Sequence, residues 1–212
     1  MFVDILLSAI LITGFLMVAA KRISAIIKGF ISQSLVLFLL TLLLAYKAHS
    51  VELYVVAVLL FVLKVILIPH FLSRIVKKIK VDENLGLFLN PTVSIFVVLF
   101  FVYLSYIFTD RIVCVAEGIE HGAFSVSLSV ILMGMFIMIF RMKAIAQIVG
   151  LLVTENGLFL AAASVSGGMP FFVEIAVFFD IFLCVIILGL FVYKINKAFT
   201  HIDVHRLNRL KG

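Results

Sequence analysis

Tryptophan is absent from these 212 residues, and charge is scarce: Asp, Glu, Lys and Arg together make up 13% of the chain. A soluble domain carries about a quarter, so too little polar surface is left to cover a water-facing fold. Without tryptophan there is no indole belt for the membrane–water boundary, and five tyrosines can anchor part of one. Two cysteines are present, Cys114 and Cys184. Neither belongs to a Cys-x-x-Cys pair, which excludes cysteine-ligated iron–sulfur, zinc and nickel sites here. The chain itself carries no electrons. Cys184 falls in mid-helix, so a free buried thiol is expected rather than a disulfide. Catalytic signatures are missing as well: no GxSxG, phosphate loop, GxGxxG or HExxH occurs. The loops on the basic side are too short to hold such a site, so no catalysis is expected from this chain alone.

What the chain has is apolar length. It is 65% hydrophobic, with a mean hydropathy of +1.34. A hydrocarbon core of about 30 Å needs roughly 20 apolar residues in a helix. Seven such runs are legible: 2–20, 29–46, 51–72, 91–109, 123–140, 144–163 and 170–193. The fold class expected is all-α and polytopic. Basic residues cluster in alternate connections: Lys21, Arg22 and Lys28; Arg74, Lys77, Lys78 and Lys80; Arg141 and Lys143; then Lys194, Lys197, Arg206, Arg209 and Lys211. The other side has Lys47 and Arg111, with acidic Asp110, Glu117 and Glu120. The positive-inside rule then puts the N-terminus outside and the C-terminus in the cytoplasm. It also accounts for the net charge of +6 without nucleic acid as a partner.

A shift of 122 residues lays the first three runs on the last three without a gap. Lys21 falls on Lys143, Ser32-Gln33-Ser34 on Thr154-Glu155-Asn156, and Val51-Glu52-Leu53 on Val173-Glu174-Ile175. Four spans of offset preserve orientation, so the repeats are parallel. The expected organisation is a first three-helix repeat over 1–80, a linker helix and external loop over 81–122, a second repeat over 123–194, and a cytoplasmic tail over 195–212.

Ionisable residues at membrane depth are costly and face protein or water. Glu155, Asp180 and Lys64 fall near the middle of their spans, and Glu174 lies towards an outer end. Burial disfavours the charged form of such groups, and a carboxylate that exchanges its proton near neutral pH is what a proton relay requires. Thr154 and Asn156 can bond across helices, and Gly157 lets a neighbour or a water approach the backbone. Gln33 is neutral and reads as an interhelical hydrogen-bonding group. The alternative is structural: Lys64 paired with Glu155 or Asp180 simply holds the bundle together. Pro69 should free the carbonyl of Val65 and bend the third span. Glu52 reads as a helix-N-terminal acid favoured by the dipole. His70 reads as interfacial. His49, His121, His201 and His205 have no second metal ligand at a useful spacing, and the tail reads as a partner-docking segment.

The strings GFISQSLVL (29–37), FVLKVILIPH (61–70), VTENGLFL (153–160), VEIAVFFDIF (173–182) and IDVHRLNRLKG (202–212) resemble the E-type membrane subunits of hydrogenase-4 over nearly the whole chain. That family belongs with energy-converting nickel–iron hydrogenases and formate hydrogenlyases, relatives of respiratory complex I. The last three spans are also similar to the K subunit of complex I and the C subunit of multisubunit sodium/proton antiporters. In the complex I subunit two membrane glutamates stand where Glu155 and Glu174 stand here. Gln33 departs from that pattern in the first repeat.

The resemblance implies a non-catalytic subunit of a redox-driven, proton- or sodium-translocating membrane arm in a prokaryotic inner (cytoplasmic) membrane. It implies no cofactor in this chain, with a nickel–iron centre and iron–sulfur clusters in partner subunits. Its neighbours would be other membrane subunits, especially a large antiporter-like one. The alternatives are a structural adaptor in such a complex or a subunit of a cation/proton antiporter.

Overall fold

An apolar run in hydrocarbon must satisfy its backbone within itself, which leaves the helix as the local solution. The computed structural model describes residues 2–49, 51–79, 89–113 and 121–165, and the runs within them are helical. The elements are α1 (Phe2–Ala19), α2 (Ile23–Ala48), α3 (Val51–Leu60), a π-helical segment (Phe61–Leu67), α4 (Ile68–Ile79), α5 (Pro91–Val113), α6 (His121–Phe140) and α7 (Ala144–Val165). Among the described residues there is no strand. Six helices among the described residues are long and apolar enough to cross a membrane, α3 and α4 joining through the π segment as Val51–Arg74. The protein is a multi-pass membrane protein. The described residues lie within one compact unit, Met1–Val177. The expected seventh span at 170–193, the tail and both cysteines lie outside them.

α2 begins at Ile23 rather than at residue 29. Lys28 makes that stretch read as a connection. Ile23, Ile26, Ile27 and Phe30 are buried at helical spacing, so burial of one face extends the helix through the lysine. At its other end His49 takes a left-handed conformation (φ 50°) and turns the chain towards α3.

α6 lies along α7, α1 along α2, and the two pairs meet where α1 touches α6 and α2 touches α7; α5 rests on α6 and α1, and α3 and the π segment rest on α2. The α6–α7 seam is made of small residues. A Cβ built on Gly134 would stand 2.3 Å from Thr154 Oγ1 and 2.7 Å from the Gly150 carbonyl oxygen. One on Gly157 would stand 2.8 Å from the Ile131 nitrogen and 2.9 Å from the Ser127 carbonyl oxygen. With no hydrophobic drive between helices in lipid, such close backbone approach supplies the van der Waals contact that holds them. It also fixes the rotation of α7 about its own axis.

The π segment repairs a mismatch in the third span. Leu60, Lys64, Ile68 and Leu72 are buried at intervals of four. Three such steps along a regular α-helix rotate a stripe by about 120°. Widening one turn keeps all four on the inner face, and the Ile68 N–H bonds to the carbonyl of Leu63, five residues back. Pro69 follows directly, as the second residue of α4.

Candidate functional site

Four helical segments bring uncharged and charged groups together at the centre of the bundle. Lys64, on the π segment, is 1% exposed and Glu155, in the middle of α7, is 3% exposed. Gln33 and Ser34 on α2 and Asn156 on α7 are buried with them. The Lys64 ammonium donates to Asn156 Oδ1 at 3.0 Å. Asn156 Nδ2 donates in turn to Gln33 Oε1 and to Ser34 Oγ, each at 3.3 Å. Gln33 Nε2 then donates to the carbonyl of Ile10 on α1 at 3.3 Å. Both amides are therefore oriented by their partners, and the chain of dipoles ends with an oxygen facing the ammonium. Glu155 Oε2 stands 3.8 Å from Lys64 Nζ, inside ion-pair range and outside direct hydrogen-bond range.

Of the residues singled out from sequence, Lys64, Glu155, Asn156 and Gln33 meet in this cluster. Thr154 does not: its hydroxyl bonds back to the Gly150 carbonyl of its own helix at 3.0 Å, on the side turned to α6. Asp180 and Glu174 lie outside the described residues. Sequence reading gives no role to Ser34 beyond its place in the repeat, or to the Ile10 carbonyl. Ser34 and Asn156 are 122 positions apart, the register of the internal repeat, and that coincidence is the signal that could have found Ser34.

A second buried cation reads from sequence as a solvated basic residue. Arg141, between α6 and α7, is 3% exposed, and its guanidinium donates to the Val18 carbonyl at the end of α1. The last carbonyls of a helix lack intrahelical donors and carry the negative end of its dipole, so a cation is favoured there. Burial pushes the guanidinium down to about 10, which leaves it charged at neutral pH. Gln147 Nε2 holds the Arg141 carbonyl at 3.1 Å, fixing the entry into α7. On the other side of the bundle, His121 Nε2 lies 2.8 Å from Asp110 Oδ1 and ties the start of α6 to α5. Among the described residues no group of three or more His, Cys, Asp or Glu is placed to hold a metal ion.

No protein-family model and no solved structure matches the chain. Curated relatives do. An uncharacterised protein of Mycobacterium tuberculosis is 22% identical over 99% of this chain and 96% of its own length. Hydrogenase-4 component E of Escherichia coli K12, and that of Shigella flexneri, are each 25% identical over 100% of this chain and 98% of theirs. The chain is a homologue of hydrogenase-4 component E. Because the similarity to component E runs from end to end, the helices that carry Lys64, Gln33, Glu155 and Asn156 all fall within the shared length. The component E name attaches those relatives to a hydrogenase of several parts.

Proposed function

We propose that the protein is a non-catalytic membrane-arm subunit of an energy-converting hydrogenase or formate hydrogenlyase-type complex related to complex I. In this reading it contributes the Lys64–Glu155 pair to proton or sodium translocation coupled to redox chemistry in its partners. The observation that carries it is the pair itself: two ionisable groups buried at mid-helix, 3.8 Å apart. Such groups inside a membrane mark ion pathways. The full-length similarity to component E supplies the kind of complex. The reading keeps seven spans, the N-terminus outside and the C-terminus inside the prokaryotic cytoplasmic membrane, and Asp180 and Glu174 as further members of the path. The nickel–iron centre and iron–sulfur clusters belong to partner subunits, and a large antiporter-like subunit is the expected neighbour.

A structural adaptor is the second reading. It is favoured by the bonds that tie α1, α2, the π segment and α7 at one point. Glu155→Gln separates the two. The translocation reading expects the complex to assemble and its redox-driven ion transport to fall at least tenfold. Full transport by an assembled Glu155→Gln complex refutes it. Co-purification of a chain with nickel-ligating cysteine pairs tests the hydrogenase assignment; recovery with only antiporter-type subunits would replace it by the cation/proton antiporter alternative.

A further inference from the structure

We propose that Asn156 is a positioning residue that holds the Lys64–Glu155 ion pair open. A lysine and a carboxylate buried together in an apolar bundle have every electrostatic reason to close to hydrogen-bond distance. Here the ammonium instead sits 3.0 Å from a neutral amide oxygen and 3.8 Å from the carboxylate. The amide cannot turn away without breaking two bonds. Its Nδ2 is held by Gln33 and Ser34, both buried, and Gln33 is held by the Ile10 carbonyl. The uncharged groups on α2 thereby aim one acceptor at Lys64 in competition with Glu155, and the two acceptors are adjacent residues of α7.

A closed pair would lock the carboxylate in its ionised form. An open one lets Glu155 take up and release a proton while Lys64 moves less than an ångström between Asn156 Oδ1 and Glu155 Oε2. Glu155 is the titratable group that faces Lys64 from α7. Among the described residues, α2 and α4 turn no acidic group to it, and Glu52 lies in the far first turn of α3.

The inference builds on the reading that Glu155 exchanges a proton, but its test reads the carboxyl group and not transport, so either can fail alone. The protein is isolated in whatever assembly it forms. Its infrared spectrum is titrated, and the protonated-carboxyl stretching band of Glu155 is assigned by its loss in Glu155→Gln. At the pH where the unaltered protein keeps half of that band, Asn156→Leu is expected to keep about a tenth as the pair closes. Gln33→Met, which loosens the amide without removing it, is expected to reduce the band in the same direction. An undiminished band in Asn156→Leu overturns the proposal. If that variant does not assemble, Gln33→Met decides: a reduced band supports the proposal and an unchanged one refutes it.

Discussion

Replacing Lys64 by Met keeps the side-chain length and removes the charge, which isolates the pair at the centre of the bundle. Two unit charges 3.8 Å apart attract by about 4 kcal/mol at an effective dielectric constant of 20. The lost hydrogen bond to Asn156 Oδ1 adds about 1 kcal/mol or less, as interhelical bonds in membrane bundles do. Leaving one member of a buried pair behind costs about 3–5 kcal/mol, and Lys64→Met is expected in that range. Removing both members, as in Lys64→Met with Glu155→Leu, eliminates the stranded charge and should return most of the loss, since an apolar replacement of a buried pair is close to neutral. The assay is equilibrium unfolding of the purified protein in mixed micelles, run on the wild type, both single variants and the double variant. A coupling energy of about 3 kcal/mol is expected from the cycle. Additivity within about 0.5 kcal/mol would show that the two groups do not sense one another, and the translocation and adaptor readings would both lose their central pair.

Gly134→Ala must push α6 off α7, because the added carbon meets the Thr154 backbone nitrogen at 2.5 Å; a loss of about 1–3 kcal/mol is expected in the same unfolding assay. Gly122→Ala on the same helix meets nothing within 4 Å and should change stability by about 0.5 kcal/mol or less. Arg141→Met strands the Val18 carbonyl and is expected to cost about 1.5–3 kcal/mol, the contribution of a charge-assisted bond, with partial recovery in Arg141→Lys. Because burial lowers the Arg141 value to about 10, the unfolded chain binds more protons from about 10 up to the ordinary arginine range. The Arg141 contribution to stability is therefore flat across neutral pH and rises only in that alkaline window. For the topology, Glu120→Cys and Lys194→Cys, each in a background with Cys114 and Cys184 changed to Ser, should react with an impermeant maleimide from the outside and the inside respectively. The reverse pattern overturns the orientation.

The helices were legible because apolar length alone dictates them, and starts or stops at Val51, Pro91, Phe140 and Ala144 coincide with changes in composition. Lys28 hid the first turn of α2, because sequence weighs a lysine as polar without knowing which way its helix faces. The π segment was illegible for a related reason. The buried stripe Leu60, Lys64, Ile68, Leu72 reads on a regular helix as drifting around the surface, and only the neighbouring α2 determines that it stays inward. The choice between Glu155 and Asp180 as the partner of Lys64 was equally open from spacing; the geometry puts Glu155 at 3.8 Å, while Asp180 lies outside the described residues. Arg141 escaped sequence reading because a basic residue between two spans has the signature of a solvated positive-inside charge. Its burial depends on the carbonyl of Val18, which is 123 residues away.

The string Glu155-Asn156-Gly157 places three separate contacts on one short segment. Successive residues of a helix point about 100° apart, so three neighbours face three directions. Gly157 faces α6 and permits backbone contact at Ile131 and Ser127. Asn156 faces α2 and the π segment, where its amide joins Gln33, Ser34 and Lys64. Glu155 takes the remaining direction, beside the ammonium. In lipid no burial gradient tells a helix how to rotate, so the rotation of α7 has to come from steric fit on one face and hydrogen bonds on another. The glycine seam and the amide chain supply these two constraints, and between them they fix where the carboxylate stands. Changing the glycine would therefore move the charge as surely as changing the glutamate would remove it.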